Sequence, residues 1–233
     1  MDTDAFDQLD DTELTDRCVA MTTVQRRHAA TLALWRLRAP LLMLRLDPEW
    51  GLHRTVVERV FRAMLLIPAE EEAHRTYTEA VAAMVSTPLF TDPEEGELDG
   101  IIAEVQVEAM AELERWNALD ELSAEETERI IRRPREVSGW LDSSVQDSLW
   151  DHPAHRAHEQ YLATVSGGGR GTDVGYHSTR NLAVEAACHD IALAQPPTAG
   201  LLSTAAGREA LALCEAFSAE LVSTLAWQHN LGH

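Results

Sequence analysis

The sequence predicts an all-α protein that folds as a single domain of about eight or nine helices. Three observations support this prediction. Helix-capping residues and prolines recur at the spacing of helix starts, apolar residues repeat about every 3.6 positions between them, and no segment shows sustained apolar–polar alternation. The 233 residues are 45% hydrophobic, which is enough for one sizeable core. We therefore expect one helical domain over residues 1–233, and only the fragment YLATVS at 161–166 has any strand character.

Caps and prolines delimit the helices of the N-terminal third. Asp10 with Glu13 resembles a capping box, and the apolar stripe that follows predicts one long helix that ends or bends at Pro40. The aspartate–proline pair at 47–48 predicts the next helix start, because a proline in the first turn lacks only a donor that would be unbonded there. By the same reasoning, Pro68 starts a third helix.

The remaining helices are marked in the same way. Residues 99–116 carry an apolar stripe, and Ser123 with Glu126 forms the capping box of the following helix. Pro134 and Pro153 each predict another helix start.

The final helices follow a glycine-rich loop at residues 166–177. Ser178 is the expected cap of the first of them, and Ser203 or Thr204 is the expected cap of the last.

Two segments of this pattern are similar to a known family. The run DPEEGELDGIIAEVQVEAMAEL, followed by a helix and then by HPAHRAHEQYLATV, resembles in order and patterning the all-helical YjaG-like bacterial family. The resemblance covers about residues 28–165 and includes no catalytic motif. It implies a helical bacterial protein, and it implies no particular activity.

The charge balance restricts the classes of partner. The chain has 39 acidic and 19 basic residues, and its net charge of −20 repels phosphate, so we expect neither nucleic acid nor an anionic membrane as a partner. A basic protein surface or a small molecule fits this charge.

The cysteines and the chain start predict a cytoplasmic protein. Cys18, Cys188 and Cys214 lie in predicted helices without metal-ligand spacing, which is typical of a reducing compartment. The first 16 residues are acidic, and the most apolar segment is interrupted by arginines. We therefore expect no targeting or membrane-spanning segment.

The strongest charge pattern is an acidic stretch at residues 92–128, which contains 14 acids and one base. Within it, Glu104, Glu108 and Glu112 are spaced to lie along one helix face, where like charges repel one another. This arrangement predicts an exposed acidic surface that binds a basic partner. The alternative is that these glutamates pack inside the fold against the chain's own arginines.

The stretch DHPAHRAHE at 151–159 is a candidate metal site. His155, His158 and Glu159 fall on one side of a helix that starts at Pro153, so a shared ion is geometrically conceivable. One helical turn rarely supplies more than two zinc ligands, however. We therefore interpret the stretch as a solvated helix start, and we expect neither a metal nor another cofactor.

The glycine-rich loop allows more than one interpretation. Its glycines do not follow a buried strand, so a dinucleotide-binding turn is disfavoured and a flexible linker is preferred. Alternatively, the loop is a mobile lid that carries Arg170, Tyr176 and His177 over a pocket.

A di-iron helix is a further alternative. Glu71-x-x-His74 has the required spacing, but such a site needs a second Glu-x-x-His, and the nearest pair, Glu185 and His189, is spaced four apart. A charged surface face explains the first pair more simply.

Two functional classes remain. The first is a non-enzymatic binding or regulatory protein with an acidic recognition surface, which we favour because no catalytic motif is specific. The second is a small-molecule enzyme whose interhelical pocket is closed by the glycine-rich loop and holds a histidine-based metal site.

Overall fold

The computed structural model contains ten α-helices and two short 3-10 helices among the residues it describes, and no strand, which confirms the all-α prediction. The residues described are 11–67, 70–91, 100–116, 121–149, 175–196 and 199–231. The α-helices are α1 (Asp11–Ala20), α2 (Thr23–Trp35), α3 (Arg38–Met43), α4 (Arg54–Leu66), α5 (Glu71–Val85), α6 (Pro88–Thr91), α7 (Gly100–Arg115), α8 (Ala124–Leu149), α9 (Tyr176–Ala194) and α10 (Ala205–Leu231). The 3-10 helices are Pro48–Trp50 and Leu201–Ser203.

The predicted long first helix is wrong, because the chain divides it into α1, α2 and α3. The Thr22 hydroxyl accepts a hydrogen bond from the Gln25 amide at 3.3 Å, and the Gln25 side chain accepts one from the Thr22 amide at 2.9 Å. This reciprocal capping box starts a new helix. Pro40 lies in the first turn of α3, where its missing donor leaves no intrahelical bond broken.

Helix α3 obtains its polar contacts from distant parts of the chain. No side chain caps it locally, and the Ala39 amide instead donates to the Ser218 hydroxyl of α10 at 2.7 Å. The Gln106 side chain of α7 donates to the Pro40 carbonyl at 2.9 Å. Both side chains are buried, so these bonds connect α3 to α7 and α10 inside the protein.

The predicted helix start at Pro134 is also wrong, since Pro134 lies inside α8. The capping box that opens this helix is confirmed, with Ser123 and Glu126 exchanging bonds of 2.8 and 3.1 Å. A proline within a helix removes one backbone hydrogen bond. The apolar face that contains Ile130 and Val137 continues past it fully buried, and this packing offsets the loss.

The other predicted caps have mixed outcomes. Asp47 caps as expected, but the helix that it opens is the 3-10 turn at 48–50, and α4 starts only after His53. Thr204 accepts a bond from the Gly207 amide at 3.0 Å and so is the predicted cap of the last helix. The starts predicted at residues 10, 68 and 153 and the fragment 161–166 lie outside the described residues.

Helix α2 occupies the centre of the bundle. Each of its residues from Arg27 to Trp35 is buried, and Arg36, which follows, is 1% exposed. It packs against α8, α9 and α10, and the hydrophobic core around it draws side chains from all the long helices. Polar groups on this part of α2 are therefore removed from water, and any hydrogen bond that they form is to the protein itself.

Only α10, among the described helices, is long and apolar enough to cross a membrane by length and composition. The candidate span is Ala205–His229, and 44% of its most apolar 18-residue stretch is buried inside the protein. Its apolar residues at 210, 214, 217, 221 and 225 are fully buried in the core. Packing inside the bundle accounts for this composition.

We predict that Ser123→Ala lowers the free energy of unfolding by about 1 kcal/mol, because it removes the hydroxyl that caps α8. Urea denaturation measures the change. The matched control is Ser143→Ala, at an exposed position inside the same helix, where alanine should leave stability unchanged or raise it slightly. Equal losses in the two variants would contradict the role of the cap.

Candidate functional site

The most concentrated group of buried charges lies where α2, α8 and α9 meet. Arg36, at the C-terminus of α2, donates from Nη1 to the Asn181 side-chain oxygen at 2.6 Å and to Glu185 at 3.3 Å. Arg135 of α8 approaches the same carboxylate, with Nε 3.1 Å and Nη2 2.5 Å from Oε1. The side chains of Arg36 and Glu185 are 1% and 0% exposed, and that of Arg135 is 16% exposed. We call these four residues the central charge cluster.

The central charge cluster keeps Glu185 ionised despite its burial. Burial alone would raise the pKa of this carboxyl, but the charges of Arg36 and Arg135 and the hydrogen bonds from Arg135 reverse the effect and lower it below its ordinary value. Both carboxylate oxygens accept bonds from arginine. The cluster therefore connects three helices. Because arginines occupy both oxygens of Glu185, this carboxylate is not available to accept a proton from a substrate.

Glu185 belongs to a polar stripe along α9. His177, Asn181, Glu185 and His189 are spaced four residues apart, and each is at most 1% exposed. We did not predict this stripe from the sequence, although four polar residues at helical spacing in an alanine-rich helix are its visible signal. We had interpreted Glu185 and His189 only as a weak di-metal pair.

The di-metal alternative has no support from the described residues. Glu71 is exposed and His74 half-buried on α5, whereas Glu185 is fully occupied by arginines on α9. Among the ranges described, no three His, Cys, Asp or Glu side chains are grouped so that they could hold a metal ion.

Two buried histidines lack hydrogen bonds at both ring nitrogens among the described residues. His28 of α2 is 2% exposed and His189 of α9 is 1% exposed. Burial lowers the pKa of each from 6.5 to about 4. For His189, the nearby Glu185 opposes this effect and the surrounding arginines add to it. Both rings are therefore neutral near pH 7.

The start of α9 is fixed by a carboxylate from α8. Asp142 accepts hydrogen bonds from the His177 amide at 2.9 Å and from the Ser178 amide at 2.8 Å. A side chain at Gly175 would lie within 2.4 Å of the Asp142 side chain, so only glycine fits at this N-cap position. The predicted cap, Ser178, instead donates its hydroxyl to Asp142 at 2.7 Å.

Two residues that we assigned to the glycine-rich loop belong to α9. Tyr176 and His177 form its first turn, the Tyr176 hydroxyl donates to Glu220 at 3.0 Å, and His177 is 1% exposed. Packing against α8 and α10 therefore holds these two residues as helix rather than loop. Arg170, the third proposed lid residue, lies outside the described residues.

The predicted acidic face is only partly exposed. Glu104 is exposed and the side chain of Glu108 is 35% exposed, but Glu112 is fully buried. Glu112 pairs with Arg115 at 2.6 Å and with Arg133 at 3.2 Å, and Arg133 also pairs with Glu108 at 3.1 Å. The expectation that Glu112 lies on the recognition surface is therefore wrong, because α8 covers it with an arginine.

A shallow groove of about 420 Å³ lies between the end of α3 and the start of α4. It is lined by leucines, Met43, His53 and two arginines, Arg45 and Arg54. Its lining contains no carboxylate, thiol or hydroxyl, so it offers a surface for contact rather than a set of reactive groups.

Comparison with protein-family models, with curated proteins and with solved structures finds no match for this chain. The resemblance to the YjaG-like family therefore stays a prediction. The candidate metal residues His155, His158 and Glu159 lie outside the described residues, so their interpretation also stays a prediction.

We predict that Glu185→Gln lowers the free energy of unfolding by about 3–5 kcal/mol, because two arginines inside the bundle lose their counter-charge. Chemical denaturation measures the loss. Glu215→Gln is the matched control, since Glu215 is 54% exposed and lies 3.7 Å from Arg38, and its loss should be below about 1 kcal/mol. Similar losses in both variants would show that the central charge cluster has no special structural role.

We predict that stability falls on mild acidification because of His28 and His189. Unfolding restores each pKa from about 4 to 6.5, so below pH 6.5 the unfolded chain binds protons that the folded chain does not. The free energy of unfolding is therefore highest above pH 6.5. It falls between pH 6.5 and 4, by on the order of 3 kcal/mol for each histidine. Urea denaturation across this range measures the fall.

His28→Gln and His189→Gln should each reduce this pH dependence, because glutamine does not titrate. The control is His53→Gln, which makes the same substitution at an exposed histidine. If stability stays constant down to about pH 4.5, the folded protein accommodates both charged rings and the prediction is wrong.

Proposed function

We propose that this protein is a non-enzymatic helical binding protein that presents an acidic surface to a basic partner. The observation that carries the proposal is a set of exposed carboxylates on α7, just before α8 and in the first turn of α8, that form no ion pair within the described ranges. They are Glu104, Glu114, Glu121 and Glu125, and we call them the acidic patch.

The size of the acidic patch suits a protein partner. Glu104 and Glu114 are ten residues apart on α7, which corresponds to roughly 15 Å along the helix. Glu121 precedes α8 by three residues and Glu125 lies in its first turn, and both are exposed. A typical protein interface covers about 800 Å² on each partner, and we propose a basic surface of this size as the partner of the four carboxylates.

Electrostatics supports the choice of a basic partner. The patch lies on a chain of net charge −20, and the partial neutralisation by Arg133 and Arg115 acts on Glu108 and Glu112 rather than on the patch. Exposed unpaired carboxylates repel one another, and a cationic surface relieves this repulsion while the long-range field accelerates encounter.

The state of the buried titratable groups favours binding over catalysis. Glu185 is bonded to two arginines, and His28 and His189 are enclosed in the core. A general acid or base must reach a substrate proton directly or through one water. These three groups cannot contact a substrate that binds at the protein surface, which supports a binding protein over the enzyme alternative.

We predict that neutralising the acidic patch weakens binding of a fluorescently labelled arginine-rich peptide by roughly tenfold, since each exposed ion pair contributes a few tenths of a kcal/mol. The variant carries Glu→Gln at positions 104, 114, 121 and 125. Fluorescence anisotropy measures the Kd at low and at physiological ionic strength, where screening over about 8 Å should reduce the difference from wild type.

The matched control changes net charge equally at exposed acids elsewhere. It combines Glu49→Gln, Glu70→Gln, Asp190→Asn and Glu209→Gln. Because both variants gain the same charge, a larger loss in the patch variant locates the binding surface. Equal weakening would mean that the peptide senses only total charge, and the proposal would fail.

A further inference from the structure

Two of the three cysteines lie side by side at the contact between α9 and α10. The Sγ atoms of Cys188 and Cys214 are 3.4 Å apart, and the side chains are 1% and 0% exposed. Cys18 is equally buried but sits on α1, and all three cysteines are free thiols. From the sequence we assigned no role to any of them.

We infer that Cys188 and Cys214 are a modification site at which a hydroperoxide forms an intramolecular disulfide between α9 and α10. The geometry carries this inference. A disulfide needs a sulfur separation of about 2 Å, so the two sulfurs, 3.4 Å apart, must approach by roughly 1.4 Å. The site is separate from the acidic patch and does not depend on it.

The surroundings give the two thiols different roles. The hydrogen bond with Cys214 lowers the pKa of Cys188 against the opposing effect of burial, and Arg36 acts in the same direction as the hydrogen bond. Burial raises the pKa of Cys214 well above its ordinary value. Cys188 is therefore the more acidic thiol and the one we assign as the attacking group. Cys214, whose thiol also donates to the Leu32 carbonyl at 3.3 Å, is the resolving thiol.

The reaction balances in two steps. The Cys188 thiolate attacks one oxygen of the hydroperoxide, the O–O bond breaks, and Cys188 becomes a sulfenic acid while hydroxide, or alkoxide from an organic hydroperoxide, leaves. The Cys214 thiol then attacks the Cys188 sulfur, the S–S bond forms, and the S–O bond breaks. The Cys214 proton leaves with the hydroxyl as water. Each sulfur loses one electron, and the hydroperoxide gains two.

Cys18 provides an internal control for burial. Burial and nearby carboxylates raise its pKa to about 12, and no second sulfur contacts it among the described residues. If burial alone decided reactivity, Cys18 and the pair would respond alike. A disulfide confined to the pair would reflect the 3.4 Å contact.

The test treats the reduced full chain with hydrogen peroxide and then alkylates the remaining thiols in denaturant. Intact mass and peptide mapping should show that two of the three thiols are lost, that one peptide joins residues 188 and 214, and that Cys18 is alkylated. Dithiothreitol should restore all three thiols. The oxidised chain should also melt several degrees higher, because the cross-link restricts the unfolded state.

Three variants complete the test. Cys18→Ser should still lose both remaining thiols, whereas Cys188→Ala and Cys214→Ala should form no intramolecular cross-link. The inference fails if native wild type keeps all three thiols at a peroxide concentration that oxidises free glutathione. It also fails if Cys18 is consumed as fast as the pair, or if Cys188 ends as a sulfinic acid without a disulfide.

Discussion

The fold depends on keeping two fully buried carboxylates paired with arginines from one helix. Arg133 and Arg135 lie two positions apart on α8, so their side chains leave the helix about 200° apart. Arg133 reaches Glu112 of α7 at 3.2 Å, and Arg135 reaches Glu185 of α9 at 2.5 Å. Arg115 and Arg36 also pair with these two carboxylates, but each carboxylate would lose one of its arginines if α8 shifted. Losing one partner of a buried ion pair is costly, so a shift of α8 relative to either neighbour is unfavourable. The helix therefore fixes the packing of α7 on one side and of α9 on the other.

Pro134 lies between these two arginines, and its position explains why a proline interior to a helix is tolerated. The missing backbone donor weakens α8 locally. At the same point, the ion pairs on both sides and the buried apolar residues on either side of the proline hold the chain in helical register. Replacing such ion pairs by apolar residues often leaves stability unchanged or improved, whereas removing one partner is costly. The arrangement therefore specifies which helices are neighbours more than it adds to net stability.

The sequence was sufficient for the fold class and for caps whose partners are local. The Ser123–Glu126 box and Thr204 are such cases, because both bonds lie within a few residues. It was insufficient where the partner is distant in sequence. The burial of Glu112, for example, depends on Arg133, which is 21 residues away. The Thr22–Gln25 box is a local cap that was missed for another reason, because it lies inside a continuous apolar stripe. The polar stripe on α9 is another example. A polar helix face predicts exposure to solvent, unless the arginines from other helices that pair with it are already known.

Among the described residues, the glutamates include a buried group that pairs with arginines and an exposed group that does not. This division determines how much negative charge the surface carries. Arginines are the only basic side chains in the chain other than histidine, and several of them are engaged with glutamates inside the bundle or along single helices. The central charge cluster engages two arginines, Arg36 and Arg135, with one carboxylate, so it removes more positive than negative charge from the surface. The unpaired carboxylates on α7 and at the start of α8 therefore face solvent with fewer compensating arginines than the composition suggests. The same distribution of arginine thus has two results: it fixes the helices through buried pairs, and it leaves an excess of negative charge at the surface. A partner that binds the acidic patch would supply the positive charge that the buried arginines do not provide there.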